Sequence, residues 1–131
     1  MNEAEYARRL RDRTDMHFNC CQATVIPFCE SCGMSSEAAY ALGQNFGGGM
    51  GCGSVCGAVT GALMVLGMCG GTPAQAKELR EYFQKMYGSL NCAELLRQMT
   101  ERKETKKSHC DNLVEEVVVY LSERIHMFEN R

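Results

Sequence analysis

The sequence predicts an all-α fold, a single-domain helical bundle of about five to six helices around a glycine-faced central helix. Apolar residues recur at helical spacing along most of the chain, and helix-start and helix-stop signals punctuate it. The β-prone run Val117-Val118-Val119 sits inside a longer helical pattern. With 131 residues, 45% hydrophobic and 23% charged, the chain can bury its own core but not a second full one, so residues 1–131 read as one domain.

The first helix is expected from about Asn2 to about Val25, ended or kinked by Pro27, with Cys29-Glu30-Ser31-Cys32-Gly33 as a turn. Ser35 or Ser36 caps a short helix from Glu37 to about Gln44, and Phe46-Gly47-Gly48-Gly49-Met50-Gly51 follows as a flexible loop. Eleven of the 13 glycines lie between Gly43 and Gly71, which concentrates close backbone approach there. From about Cys52 to Gly67 a helix is expected in which Gly53, Gly57 and Gly61 recur every four residues and leave one face nearly bare. Val55, Val59, Leu63 and Leu66 fill its apolar side, and Gly70-Gly71 stops it. Thr72-Pro73-Ala74-Gln75 starts the next helix and Gly88 closes it. A short helix from about Asn91 to Met99 leads into a charged loop, Thr100 to Lys107. Ser108 and Asp111 form a capping signature for a last helix, His109 to about Phe128. Cys110, Leu113, Val114, Val117, Leu121, Ile125 and Phe128 share one stripe of that helix.

A net charge of -2 lacks the basic footprint that a phosphate backbone requires, so no nucleic acid is expected as a partner. The longest apolar stretch, Val55 to Cys69, is interrupted by Gly57, Gly61 and Gly67 and falls short of the ~18 residues a membrane span needs. The polar segment Met1 to Arg11 lacks the apolar stretch of a signal peptide, which points to a cytoplasmic protein with reduced thiols.

Against that background stand nine cysteines: Cys20, Cys21, Cys29, Cys32, Cys52, Cys56, Cys69, Cys92 and Cys110. An odd number in a reducing compartment points to metal ligation or thiol redox chemistry more than to a disulfide framework. Cys52 and Cys56 would share one helix face at a helix start, where the dipole favours thiolate. Cys69 reads as a small buried hydrophobe. Cys29-x2-Cys32 has redox and zinc-knuckle spacing, but no strand precedes it and no second C-x2-C follows. A zinc site from Cys29, Cys32, Cys52 and Cys56 is geometrically conceivable. Among His17, His109 and His126 only His109 adjoins a cysteine, where it reads as a polar residue near a helix cap. The glycine loop lacks the GK[ST] ending of a nucleotide site.

Phe46-Gly47-Gly48-Gly49-Met50-Gly51 followed by Cys56-Gly57-Ala58-Val59-Thr60-Gly61-Ala62-Leu63 resembles the defining motif of the C_GCAxxG_C_C family, which is named for a redox activity. Phe18-Asn19-Cys20-Cys21-Gln22-Ala23, Asn91-Cys92-Ala93-Glu94-Leu95-Leu96 and His109-Cys110-Asp111-Asn112-Leu113-Val114 resemble its other cysteine elements, so the likeness runs from about Phe18 to Val119. It implies Cys20, Cys56, Cys92 and Cys110 as redox thiols and, where a cluster or metal is bound, as its ligands, with Gly57 beside them. Cys20 is preferred to Cys21 because Gln22-Ala23 follows at the family's spacing, and Cys21, Cys29, Cys32, Cys52 and Cys69 are extra to the pattern. A similar domain occurs in split-Soret-type cytochromes, with which an iron–sulfur centre has been associated.

The expectation is an oxidoreductase or electron carrier that passes electrons to a redox partner protein through a four-cysteine site. Convergent thiolates suit an iron–sulfur cluster, and convergent pairs suit dithiol/disulfide exchange. The alternative is a module that holds zinc or another soft metal without turnover. A third reading is a helical interaction protein with buried thiols. An apolar helical surface and nine methionines fit a homodimer.

Overall fold

The computed structural model describes residues 2–129, with side chains through Ile125. Among the described residues the fold is all-helical: α1 (Glu3–Asp12), α2 (Cys20–Cys29), α3 (Ser36–Gly43), α4 (Gly57–Met68), α5 (Pro73–Tyr87), α6 (Cys92–Glu101) and α7 (Lys106–Glu129). The only extended pairing among them is a single antiparallel bridge between Val55 and Asn91. No helix is long and apolar enough to cross a membrane, within the same residues.

Three boundaries differ from expectation. The first predicted helix is two, because Asn19 is extended and caps a new helix: its side chain accepts the Gln22 N–H at 2.8 Å while the Gln22 side chain accepts the Asn19 N–H at 2.8 Å. Pro27 lies inside α2 rather than ending it. The proline forgoes one backbone bond, and the buried Val25, Ile26, Phe28 and Cys29 hold that turn in place.

The helix expected from about Cys52 begins instead at Gly57, as α4. Gly48, Gly49, Met50 and Gly51 take φ of 65°, 64°, 61° and 71°, and Gly53 takes 73°, so this run cannot enter a right-handed helix. Gly53 therefore belongs to the loop and only Gly57 and Gly61 belong to α4. At the other end of the chain α7 begins before Ser108. Thr105 caps it, its hydroxyl accepting the Ser108 N–H at 3.1 Å, while Asp111 is buried and paired with cations. Cys110, Leu113, Val114, Val117, Leu121 and Ile125 are buried as their stripe predicts, and Phe128 lies outside the described side chains.

The packing of α2 on α4 positions the site. A Cβ at Gly57 would stand 2.9 Å from the Phe46 carbonyl oxygen and 3.2 Å from Cys20 Cβ; one at Gly61 would stand 2.9 Å from the Cys21 carbonyl oxygen and 3.0 Å from Thr24 Cβ. All four distances are below ordinary contact, so the two backbones meet where only glycine fits. The contacts advance together along the two helices, which therefore run parallel. Beyond their C-terminal ends Cys32 and Cys69 are joined by a disulfide with Cα atoms 5.8 Å apart. Helix α7 covers this pair with Leu113, Val114, Val117, Val118 and Leu121, and α5 adds Leu79 and Phe83 to the core.

Candidate functional site

Two helices begin with the same local device. Asn19 precedes Cys20 and Asn91 precedes Cys92; each asparagine caps its helix by accepting the N–H three residues on, at 2.8 Å from Gln22 and 3.0 Å from Glu94. The cap fixes the following cysteine as the first residue of α2 or of α6. Cys56 occupies the cap position of α4, without a side-chain capping hydrogen bond.

Backbone pairing draws the starts of α4 and α6 together. Cys56 N–H donates to the Leu90 carbonyl at 2.8 Å and Cys92 N–H to the Ser54 carbonyl at 2.6 Å, on either side of the Val55–Asn91 bridge. The left-handed loop closes beneath them, since a Cβ at Gly49 would lie 2.6 Å from Ser54 N and 2.8 Å from Cys92 Cβ. Only glycine allows that approach.

The result is one small cavity of about 20 Å³ lined by Cys20, Cys56, Cys92 and Cys110, together with Gly48, Gly57, Leu95, Leu96, His109 and Leu113. Cys56 and Cys110 are buried, and Cys20 and Cys92 are partly exposed. Cys21 faces away into the core, its S–H directed at Met64 Sδ 3.9 Å away. The adjacent pair Cys20-Cys21 is thus divided between cavity and core.

The thiols are not electrostatically alike. The neighbouring Cys110 thiol, with the positive charges of Arg11 and Lys106, outweighs burial and draws Cys20 down to about 7. The neighbouring Cys20, together with burial, keeps the proton on Cys110 and raises it. Burial pushes Cys56 up to about 12, reinforced by the neighbouring Cys20, and burial also raises Cys92.

Arg11 of α1 reaches both partners' segments. Its Nε donates to Asp111 Oδ1 at 2.8 Å and its Nη1 to the Phe18 carbonyl at 2.9 Å, so one guanidinium spans the residue after Cys110 and the turn before Cys20. Burial tends to raise the Asp111 carboxyl, but hydrogen bonds from Lys107 and Arg11 outweigh it and hold the group below its ordinary value. The His109 ring is buried; its Nδ1 lies 3.6 Å from Glu104 Oε2, and its Nε2 has no hydrogen-bond partner. The sequence placed His109 only as a polar residue near a cap, and Arg11 was not singled out. The Arg11 bond to Asp111 spans 100 residues that spacing does not relate, and the burial of His109 leaves no mark in the local sequence.

Thiolates are suitable donors for an iron–sulfur cluster or zinc. Among the described residues, however, no group of three or more His, Cys, Asp or Glu side chains is placed to hold a metal ion. A cavity of about 20 Å³ has room for one water-sized group, less than a cluster occupies. The donor set fits in kind, but its placement does not.

The extra cysteines are scattered. Cys52 is exposed on the left-handed loop and shares no helix face with Cys56. Cys29 is buried with its S–H on the Ile26 carbonyl at 3.1 Å. Cys69 is not a free hydrophobe but bonded to Cys32, a pairing 37 residues apart that spacing does not reveal. These positions do not assemble the set Cys29, Cys32, Cys52 and Cys56 around one ion.

Residues 18–124 match the model of a family described as "Putative redox-active protein (C_GCAxxG_C_C)". No curated protein and no solved structure matches the chain.

Proposed function

The chain belongs to the C_GCAxxG_C_C family, and we propose that it carries electrons as a dithiol/disulfide couple, Cys20 with Cys110, in a pocket completed by Cys56 and Cys92. The observation that carries this reading is the one cavity that Cys20, Cys110, Cys56 and Cys92 line together, with Cys20 partly exposed at the start of α2 and Cys110 the neighbour that most lowers its thiol. The same four cysteines are the donor set that the resemblance assigns to a cluster or soft metal. Their placement gathers no metal group, so the reading that the geometry supports best is thiol–disulfide exchange.

The co-reactant is a partner protein carrying a disulfide. The Cys20 thiolate attacks one of its sulfurs, a mixed disulfide forms, and the partner's second sulfur leaves as a thiolate that takes up a proton. Cys110 then loses its proton to solvent and attacks the Cys20 sulfur. The Cys20–Cys110 bond forms, the mixed disulfide breaks, and the partner leaves as a dithiol reduced by two electrons. Burial keeps Cys56 and Cys92 protonated near neutral pH, which leaves Cys20 as the nucleophile.

The test is oxidation of the fully reduced protein with a dithiol-forming disulfide, followed by peptide mapping. The expected product is a Cys20–Cys110 cross-link that is absent from a Cys20→Ser variant. A cross-link from Cys20 or Cys110 to any other cysteine as the main product besides Cys32–Cys69, or stoichiometric iron and acid-labile sulfide in protein purified without oxygen, would overturn the reading.

A further inference from the structure

The function proposed above uses one end of the α2–α4 pair, and the other end carries a sulfur–sulfur bond that the family's cysteine pattern does not include. Cys32 lies in the single turn that extends α2, and Cys69 follows the last residue of α4. The 12 residues of α4 separate Cys69 from the thiol pocket by about 18 Å. Direct exchange between the two ends is therefore sterically closed.

We propose that Cys32–Cys69 is a second thiol–disulfide site, open to a small dithiol reductant or an exposed dithiol on a partner, and that it works independently of the Cys20–Cys110 couple. Both residues are partly exposed. Each is followed by a left-handed glycine, Gly33 at φ 87° and Gly70 at φ 83°, and a Cβ at either would meet no described atom within 4 Å. No side chain of those glycines shields the sulfurs, and the bond lies at helix ends rather than under the core.

Cys29, at C-x2-C spacing from Cys32, does not compete in the exchange. Its residue is fully buried, burial raises its thiol, and its S–H is held on the Ile26 carbonyl. The exchange therefore runs on two sulfurs and an external dithiol. One thiolate of the reductant attacks Cys32 or Cys69 and forms a mixed disulfide, and the released cysteine takes a proton. The reductant's second thiol loses its proton and closes its own disulfide, which frees the other cysteine. Two electrons pass from the reductant to the protein, and Cys32 and Cys69 end as thiols.

The experiment maps alkylation of the native protein by iodoacetamide before and after treatment with dithiothreitol. The expected result is a Cys32–Cys69 cross-linked peptide in untreated protein, lost completely on native treatment and replaced by two alkylated peptides. A Cys20→Ser, Cys110→Ser double variant is expected to lose the cross-link at the same rate. Alkylation of Cys32 and Cys69 before any reductant would overturn the proposal. So would a cross-link that survives dithiothreitol until denaturant is added, or a changed rate in the double variant.

Discussion

Replacing Cys110 with alanine removes the neighbouring thiol that does most to draw Cys20 down from 9.0 to about 7, while leaving the burial that opposes ionisation. Without its strongest stabilising contact the Cys20 thiol returns to about 9 or above. At pH 7 the thiolate fraction then falls from about one half to about 1%, roughly a 50-fold loss. The gain in intrinsic nucleophilicity recovers part of this: two units at a Brønsted slope of about 0.45 give about 8-fold. The net expectation is alkylation of Cys20 slowed about 6-fold at pH 7 in Cys110→Ala, and accelerated several-fold at pH 10, where both proteins are ionised. The assay is the pH–rate profile of iodoacetamide labelling, read by peptide mass so that Cys20 is resolved from the buried Cys21. Coincident midpoints in the two proteins would refute the reasoning, because the Cys110 contact would then contribute nothing to the thiolate.

Three further outcomes follow from the same structure. Gly61→Ala gains about 1 kcal/mol of helix propensity but drives a Cβ to 2.9 Å from the Cys21 carbonyl, an overpacking worth about 1–3 kcal/mol. The variant is expected to be less stable in urea denaturation, and a stabilised protein would show that α2 and α4 do not meet as described. Arg11→Gln leaves Asp111 with Lys107 but removes two charge-assisted bonds, so a loss of about 2 kcal/mol is expected together with an upward shift of the Cys20 labelling midpoint. An unmoved midpoint would reduce Arg11 to a structural tie. Stability should also fall on the alkaline side. Cys21, Cys56 and Cys110 have folded values raised above 9.0, so the unfolded chain loses protons first, and stability present below pH 9 is lost as pH rises towards 12. Each group contributes up to about 1.4 kcal/mol per pH unit, and urea midpoints that stay level between pH 8 and 10.5 would contradict the burial of these thiols.

Much of the fold was legible in the sequence because helix signals are local. Thr72, Pro73, Gln75 and Gly88 bound α5 as expected, with the Thr72 capping box formed and Gly88 at φ 79°. The boundaries that were misplaced turn on interactions of other kinds. The Asn19–Gln22 capping box was hidden by an apolar pattern that runs on through Phe18. The left-handed turn at Gly48–Gly51 includes Met50, a residue that rarely takes φ of 61° without a tertiary reason. In the site, the four cysteines named by the resemblance, Cys20, Cys56, Cys92 and Cys110, line one cavity, which spacing alone could not establish. His109, Arg11 and the Cys32–Cys69 bond depend on contacts across 37 to 100 residues of chain or on burial, and neither leaves a local mark.

What selects Cys20 among the pocket thiols also lies beyond the reach of local sequence. A helix N-terminus favours a thiolate by only about 0.3–1 kcal/mol, and Cys20, Cys56 and Cys92 all sit at one. That contribution is common to the three and cannot separate them. A thiol donor set beside a thiolate is worth about 1.5–3 kcal/mol, or one to two pKa units, and Cys110 is the neighbour that most lowers Cys20. The nearby N–H groups of Ala58 and Val59 favour the Cys56 thiolate, but Cys56 is more deeply buried, and desolvation prevails there. In the proposed exchange the nucleophile is thus chosen by where α7 places Cys110. Since Arg11 joins Asp111 to Phe18, the contact of α1 with α7 sets that placement. A change at the α1–α7 interface should therefore alter Cys20 reactivity without touching any residue of the cysteine motif.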